Sequence, residues 1–380
     1  MNNKKKSLAI IVVLMTVFVS LSILQGCNGH SDTQKVKIAV NIPLTGPISA
    51  WSGQFPNGFN LGIADACAKY NVDTNAFSVS YQDNAGDATQ SVSAFQKQKL
   101  DGYDVFISVS TVPVNAFASQ VDQSGKPHFI AAFDPFITQT NENRFRLMAN
   151  SKIEAPLFVN YAISHKAKKV YVAQLNFSYA EDEFGKIIQP QLEANGITVI
   201  RERYEVGQRD FKTMAAKIKA AKPDLIFVCG YSFLLQPMIR DLRAADLVHN
   251  GSVVSVMDFV DLLDAGAPKT ELKDVVFVCP LFDIPGKIAG GEDWRTKYEA
   301  RFKMKPTYVP AYAYDNATMI VKAYAESKGV VNTETLKKAV PFSGVNGEIN
   351  LDKERDIMST ITLVTLNANG NVEEVVMPKQ

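Results

Sequence analysis

Short apolar runs alternate with amphipathic segments along most of the chain. The apolar runs have the length and β-branched content of buried strands and cover residues 36–42, 77–81, 105–109, 128–132, 169–175, 197–203, 225–229, 253–257 and 275–279. The segments between them repeat apolar residues at helical spacing and cover residues 57–69, 88–99, 114–124, 153–164, 182–194, 211–220 and 234–245. Strands separated by helices of about 10–15 residues predict βαβ units and a parallel sheet.

The alternation restarts near residue 151, which predicts an α/β protein with two doubly wound, parallel-sheet lobes. The remaining elements are three helices and then two strand-like segments, at 294–302, 311–325, 333–339, 359–366 and 372–376. Open parallel sheets bind ligands at the carboxyl ends of their strands. Two such edges that face each other form a cleft that closes about a hinge, so we expect the ligand between the lobes.

The N-terminus has the pattern of an export signal. Lysines at 4–6 precede an uncharged, largely apolar run over 8–24, which is typical of a secretory signal peptide but also long enough for an uncleaved membrane helix. The run ends in Leu-Gln-Gly-Cys27, which resembles the lipobox of bacterial lipoproteins. We therefore predict a signal peptide over 1–26, lipidation of Cys27 and a polar tether over 27–35. The alternatives are a plain signal peptide or an anchor helix in which Cys27 is incidental.

Composition excludes several classes of protein. The 380 residues are 46% hydrophobic and 21% charged, which excludes a disordered chain. Forty Lys and Arg against 39 Asp and Glu leave no basic excess, so we expect no nucleic-acid partner. Four Cys in a chain of this length cannot form a disulfide-stapled scaffold.

Three Cys remain after Cys27. Cys229 and Cys279 end strand-like runs with one further run between them, so a sheet built in that order places them about 9–10 Å apart. A disulfide requires Cα atoms within about 7 Å. With Cys67 in a predicted helix, we expect three buried free thiols, and a pairing that involves Cys67 stays open.

Polar residues follow the predicted strands of the first lobe. Ser110 and Thr111 come directly after the strand 105–109 and open the next helix. Free N–H groups and the dipole at a helix start favour an anion, so these hydroxyls can complete a carboxylate site. The alternative is an ordinary Ser or Thr cap.

The strand ends of the second lobe carry an acid and two tyrosines. Tyr179, Tyr231 and Asp258 each lie just after a predicted strand. Opposite the first lobe's hydroxyls, they would form a bipolar site with aromatic walls for a small zwitterion. The alternatives are a helix cap for Asp258 and packing at the rim for the tyrosines.

With these features, the sequence resembles the type I periplasmic solute-binding proteins of ABC transporters, and is similar to their leucine/isoleucine/valine-binding family. The resemblance extends over about residues 36–370, and its order and spacing are more specific than any single motif. The matching pieces are Ile42-Pro43-Leu44-Thr45-Gly46-Pro47 with Trp51 and Gly53, Asp83-Asn84-Ala85-Gly86-Asp87 followed by Ala88, Ser110 with Ala116, the loop centred on Tyr179, Gly230-Tyr231, and Tyr314-Asp315.

The resemblance implies roles for the first-lobe residues. Trp51 matches an aromatic wall, and Ser110, with Thr111 beside it, matches the hydroxyl that holds a ligand carboxylate. Ala132 falls where a backbone carbonyl receives a ligand ammonium.

The resemblance also implies roles for the second lobe and marks one departure. Tyr179 and Tyr231 match residues that close over the ligand, and Asp258 matches the acid that pairs with an ammonium. The family often has Thr where this chain has Phe133, and Asp134 adds an acid. Phe133 would shrink the pocket or favour an aromatic ligand, whereas the acids favour an amine or amide.

The family further implies three chain crossings, which we place near residues 148, 282 and 345. Lobe one would then comprise 36–148 plus 282–345, and lobe two 149–281 plus 346–380.

We therefore expect an exported, membrane-anchored lipoprotein that faces the periplasm or cell exterior. It would be a monomer without cofactor or metal that delivers a small amine- or amide-bearing solute to an ABC permease in the inner membrane. The alternatives are a ligand-sensing module for a separate receptor, or binding of a small aromatic acid.

The sequence favours a binding protein over an enzyme. It contains no G-x-G-x-x-G after the first strand, no P-loop, no H-E-x-x-H and no G-x-S-x-G elbow. None of its four His is spaced from another like metal ligands.

Overall fold

The computed structural model describes residues 35–46, 48–358 and 360–377. The predicted signal peptide, the lipidation site Cys27 and all but the last residue of the tether lie outside these ranges. Within them, no helix is both long and apolar enough to cross a bilayer.

The strands form two large sheets and one hairpin. Their bounds are β1 Val36–Ile42, β2 Phe77–Asp83, β3 Val105–Val109, β4 His128–Ala131, β5 Arg144–Phe145, β6 Lys169–Leu175, β7 Thr198–Tyr204, β8 Leu225–Cys229, β9 Val253–Ser255, β10 Val275–Pro280, β11 Phe342–Gly344, β12 Gly347–Ile349, β13 Ile361–Leu366 and β14 Val372–Glu374. The first sheet has the order β2-β1-β3-β4-β5 and is parallel throughout. The second has the order β14-β13-β10-β9-β8-β6-β7, and its pairings are parallel except that β13 runs antiparallel to both of its neighbours, β10 and β14. The predicted α/β class with two parallel-sheet lobes is confirmed.

Helices connect these strands. Their bounds are α1 Ser49–Ser52, α2 Phe55–Tyr70, α3 Ala88–Leu100, α4 Thr111–Asp122, α5 Ser151–Ser164, α6 Ser178–Ala180, α7 Gln189–Ala194, α8 Lys212–Ala221, α9 Ser232–Ala244, α10 Val260–Asp264, α11 Lys269–Leu272, α12 Gly291–Phe302, α13 Tyr308–Glu326 and α14 Thr333–Lys338. Short 3₁₀ turns cover Thr74–Ala76, Met257–Phe259 and Leu281–Asp283. As its position in the sequence predicts, Asp87 caps α3, and its side chain accepts the Gln90 N–H.

The segment that the spacing predicts as one helix over 182–194 is divided in the structure. Glu181–Ile188 forms a π-helical turn, and α7 follows it. A π-helix has i→i+5 hydrogen bonds and therefore a wider turn, but a segment of eight residues is too short for apolar periodicity to reveal the difference. The strands β5, β11 and β12 have no counterpart among the predictions, because two or three residues are too few to show alternation.

Two glycines let α13 pack closely on α2. A Cβ atom at Gly58 would lie 2.0 Å from the Pro310 carbonyl oxygen, and one at Gly62 would lie 2.6 Å from the Tyr314 oxygen. The late helix α13 therefore packs on a helix that connects strands of the first sheet.

The thiols of Cys67, Cys229 and Cys279 are free and buried. In the second sheet β9 separates β8 from β10, so two of these residues lie two strands apart. The prediction of buried free thiols is confirmed for all three.

A cluster of charged residues joins a late loop to the residue after β5 and to the first turn of α5. We call Arg146, Lys152, Asp352, Glu354 and Asp356 the ion cluster. Arg146 Nε lies 2.7 Å from Asp356 Oδ1, and both side chains are fully buried. The ammonium of Lys152 contacts all three carboxylates of the late loop. The cluster thus neutralises its buried charges internally.

Candidate functional site

A cavity of about 320 Å³ lies where strands of both sheets end. Eight of the nine ligand-binding residues predicted from the sequence line it, namely Trp51, Ser110, Thr111, Ala132, Phe133, Tyr179, Tyr231 and Asp258. The structure does not bring the ninth, Asp134, to the cavity. The carboxylate of Asp134 instead accepts the Phe136 N–H at 2.9 Å, which closes a local turn.

Ser110 lies between β3 and α4 with an unusual backbone. Its φ of 80° and ψ of 143° lie in a region that residues other than glycine rarely adopt. Its N–H donates to the Ala131 carbonyl at 2.8 Å, and its side chain makes no cap hydrogen bond to α4. The ordinary capping role considered above is therefore not what the structure has. The hydroxyl stays available at the start of the helix, beside the Thr111 side chain.

Trp51 in α1 forms one wall of the cavity and is held by the late helix. Its indole Nε1–H donates to the Tyr308 hydroxyl at 2.8 Å. Tyr308 is the first residue of α13, so a distant segment sets the orientation of the wall.

The carbonyl oxygen of Ala132, the predicted acceptor for a ligand ammonium, already has a partner. Arg146 Nη1 donates to it at 2.9 Å. A carbonyl oxygen has two lone pairs, so it can accept a second hydrogen bond. This contact also connects the ion cluster to the cavity wall.

Aromatic rings form much of the remaining surface. The ring of Tyr179 lies 6.0 Å from that of Phe133 and 6.0 Å from that of Phe177, between centroids. Tyr231 stacks on Phe233 at 5.7 Å, and Phe233 is 43% exposed. The sequence analysis missed Phe177 and Phe233, although each comes within four residues of a strand end that it examined.

Three aspartates line the second-lobe side of the cavity. Asp258, Asp261 and Asp264 lie three residues apart along the turn Met257–Phe259 and α10. Residues at that spacing share one face of a helical segment. Asp261 and Asp264 were missed, although the repeat of Asp at every third position is visible in the sequence.

Their environment favours the protonated form. Burial, and then the neighbouring Glu154, raise the pKa of Asp258 to about 7. Burial, and then Asp258 and Asp264, raise the pKa of Asp261 to about 8. Asp264 reaches solvent at the rim, yet burial of its carboxyl raises its pKa to about 6 against the opposing charges of Arg295 and Lys305.

A buried carboxyl pair lies behind Asp258. The Met257 N–H donates to Glu154 Oε1 at 2.8 Å, and Ser151 Oγ donates to Glu183 Oε2 at 2.8 Å. Burial raises the pKa values of both Glu154 and Glu183, and the neighbouring Glu183 raises that of Glu154 further. This pair anchors the Asp258 turn to α5.

Two polar atoms at the cavity lack protein partners. Within the described ranges, the hydroxyl of Tyr179 and Oγ1 of Thr307 are buried without a hydrogen bond. Tyr179 is 5% exposed, and both residues line the cavity. Such groups are costly to bury unless a ligand completes them.

Comparison with known proteins identifies a matching family and several relatives. The profile of the family described as periplasmic binding protein matches residues 35–371. The Leu/Ile/Val-binding protein BraC3 of Rhizobium johnstonii is 26% identical over 238 residues, which are 60% of this chain and 64% of that protein. The Leu/Ile/Val-binding protein of Escherichia coli strain K12 is 25% identical over 240 residues, again 60% and 64%. Each alignment thus spans less than two thirds of the relative.

Solved structures share the fold. The branched-chain amino acid transporter substrate-binding protein LivJ of Streptococcus pneumoniae, in complex with isoleucine, has a TM-score of 0.76 and 21% identity, with 91% of this chain and 100% of that chain covered. A solute-binding protein of an ABC transporter from Rhodopseudomonas palustris BisB5, in complex with 3,4-dihydroxybenzoic acid, has a TM-score of 0.77 and 19% identity, with 90% and 96% covered.

Proposed function

The chain belongs to the periplasmic binding protein family, and from that premise we propose that it is the extracytoplasmic solute-binding component of an ABC importer. It acts without catalysis: it captures a small amine-bearing solute in the cavity and presents it to a permease. Lipidation at Cys27 holds it at the membrane.

The observation that carries this proposal is the opposite polarity of the two cavity walls. The first sheet contributes Ser110, Thr111 and the N-terminus of α4, which favour a carboxylate. The second contributes Asp258, which favours an ammonium. A solute that carries both groups would satisfy both walls at once.

Lobe closure supplies the signal to the permease. The lobes are 36–148 plus 282–345 and 149–281 plus 346–380. Support comes from β13, which pairs with β10 of the second sheet, and from the packing of α13 on α2. A ligand that contacts both lobes binds the closed state more tightly than the open state, and this difference in affinity shifts the protein towards the closed state.

Binding of a small aromatic acid is the second candidate. The rings of Trp51, Phe133, Phe177 and Tyr231 favour it, and the Rhodopseudomonas relative carries such a ligand. The three aspartates oppose it, because a carboxylate ligand offers them no cationic partner and would raise their pKa values further.

Calorimetry on the exported full-length protein, purified in detergent, tests the function. We expect binding of at least one solute from a panel of amino acids, amides and aromatic acids. The substitution Asp258→Ala should weaken the binding of an amine by about 3–5 kcal/mol, because it leaves the ligand ammonium without its buried partner.

The control is Asp210→Ala, which removes an acid that is 67% exposed and should leave affinity unchanged. A folded protein that binds nothing in the panel would refute the proposed function. Unchanged affinity in Asp258→Ala would refute the role of that acid.

A further inference from the structure

The cavity offers more carboxyl groups than one ammonium can pair with. Among the described residues that line it, Asp258, Asp261 and Asp264 are acidic and none is Lys, Arg or His. A single amine at Asp258 would leave the other two carboxyl groups without a cationic partner in the cavity.

The cations near these acids do not line the cavity. Arg295 and Lys305 act on Asp264, but neither lines the cavity. Arg295 Nη2 lies 3.3 Å from Asp283 Oδ1, and its guanidinium lies 3.8 Å from the Phe282 ring centroid. The titratable groups that act on Asp261 are Asp258 and Asp264. Neither of those groups is a cation, so Asp261 depends on the solute for one.

A second, independent observation indicates that the solute makes a polar contact at this wall. The Tyr179 hydroxyl is buried, has no partner within the described ranges, and belongs to a ring that lines this cavity. Its oxygen can accept a hydrogen bond from an ammonium, whereas the rings of Phe177 and Tyr231 beside it can stabilise a cation by their π faces.

The cavity size restricts the solute to a small one. A volume of about 320 Å³ lies at the lower end of the range for small-molecule sites, about 300–1,000 Å³. The spacing of Asp258, Asp261 and Asp264 along one helical face leads from the cavity interior to its rim. An elongated solute with charges at two positions fits this arrangement.

We propose that the solute is an α-amino acid with a second cationic group in its side chain. Asp258 holds the α-ammonium, and Asp261 and Asp264 hold the side-chain cation. The inference rests on the proposed function and specifies its substrate class.

Matched pairs of amino acids test the inference by calorimetry on the full-length protein. L-Lysine is compared with L-norleucine, and L-ornithine with L-norvaline, since each pair differs only in the terminal ammonium. We expect the basic member of at least one pair to bind about tenfold more tightly or better. 1,5-Diaminopentane, which is lysine without its carboxylate, is the third ligand tested. If it binds as tightly as L-lysine, the protein does not recognise the carboxylate, and the assignment to an amino acid is overturned.

Variants localise the preference. Asp261→Asn should reduce the affinity ratio of the basic to the apolar member to less than half of its value in the native protein. Asp264→Asn is the second variant if the first does not fold. Asp210→Asn should leave it unchanged. Equal or tighter binding of the apolar member in both pairs would overturn the inference while leaving the proposed function intact. Binding of other panel solutes but none of these four would overturn it as well.

Discussion

Single carboxyl groups make the stability of the ligand-free protein depend on pH. Asp258 and Asp261 have pKa values raised to about 7 and about 8, against 3.8 for an ordinary Asp. Between pH 3.8 and these raised values, the folded protein retains protons that the unfolded chain has released. The free energy of unfolding contributed by these groups therefore falls as pH rises from about 4 to about 8.

Asp261→Asn should remove one source of this dependence. Because Asn does not titrate, the variant should gain stability over the native chain from pH 5 to pH 8.5. We expect about 1–2 kcal/mol, after allowing for solvent at the cavity mouth. Denaturant unfolding of the ligand-free proteins at both pH values measures it.

Asp210→Asn is the matched control. Its exposed carboxylate is ionised in folded and unfolded chains alike over this range, so its effect on stability should not change between the two pH values. A constant difference for Asp261→Asn would contradict the account of its carboxyl group.

Residues at strand ends were predictable, and residues set by helical phase were not. Ser110, Tyr231 and Asp258 directly follow or closely follow apolar runs, so their position at one sheet edge could be deduced. Asp261 faces the cavity only because the turn after β9 begins at Met257, and no pattern in the sequence locates that start. Thr307 comes from a loop distant in sequence.

At the scale of elements, close packing of α2 on α13 depends on two side-chain-free positions. Gly58 and Gly62 are one helical turn apart and face backbone oxygens of the partner helix. Alanine is a better helix former than glycine by about 1 kcal/mol, but a Cβ atom 2.0 Å from the Pro310 oxygen forces the helices apart.

Gly58→Ala should therefore destabilise the protein, because overpacking exceeds the gain in helix propensity. We expect a loss of about 1–3 kcal/mol in the free energy of unfolding, measured with guanidinium chloride. Gly207→Ala is the control, since nothing lies within 4 Å of a Cβ atom there. Its effect should stay within about 0.5 kcal/mol. A neutral Gly58→Ala would mean that the helices can separate at no cost.

Elements were predictable where they are long enough to show a period. The strands β1, β3 and β8 match the apolar runs to the residue, because five to seven buried positions define a strand. The pairing partners of the strands were harder to predict. β13 pairs with β10, from which 80 residues separate it, and this pairing follows from tertiary packing that no local pattern encodes.

At the scale of the whole molecule, the ion cluster ties distant segments together. Arg146 lies near the first predicted crossing, and Asp356 lies 210 residues later in the chain. Their buried pair is supported by the Thr138 hydroxyl, which donates to Asp356 at 2.9 Å.

Asp356→Asn should destabilise the whole fold, because it leaves the buried guanidinium of Arg146 without its counter-charge. We expect a loss of about 3–5 kcal/mol in the free energy of unfolding. The comparison is Glu334→Gln, which breaks an ion pair whose Glu is 70% exposed and should cost less than about 1 kcal/mol. Equal small losses in both variants would show that the buried charge is solvated by another route.

The three inner cysteines have a practical consequence for labelling. Burial raises the pKa of Cys67 to about 11 and raises the pKa values of Cys229 and Cys279 well above the usual range, so their nucleophilic thiolate forms are scarce. A maleimide dye would therefore not label these three cysteines in the folded protein. A thiol engineered beside Phe233 at the cavity rim could therefore carry a fluorescent reporter of solute capture without prior removal of these three cysteines.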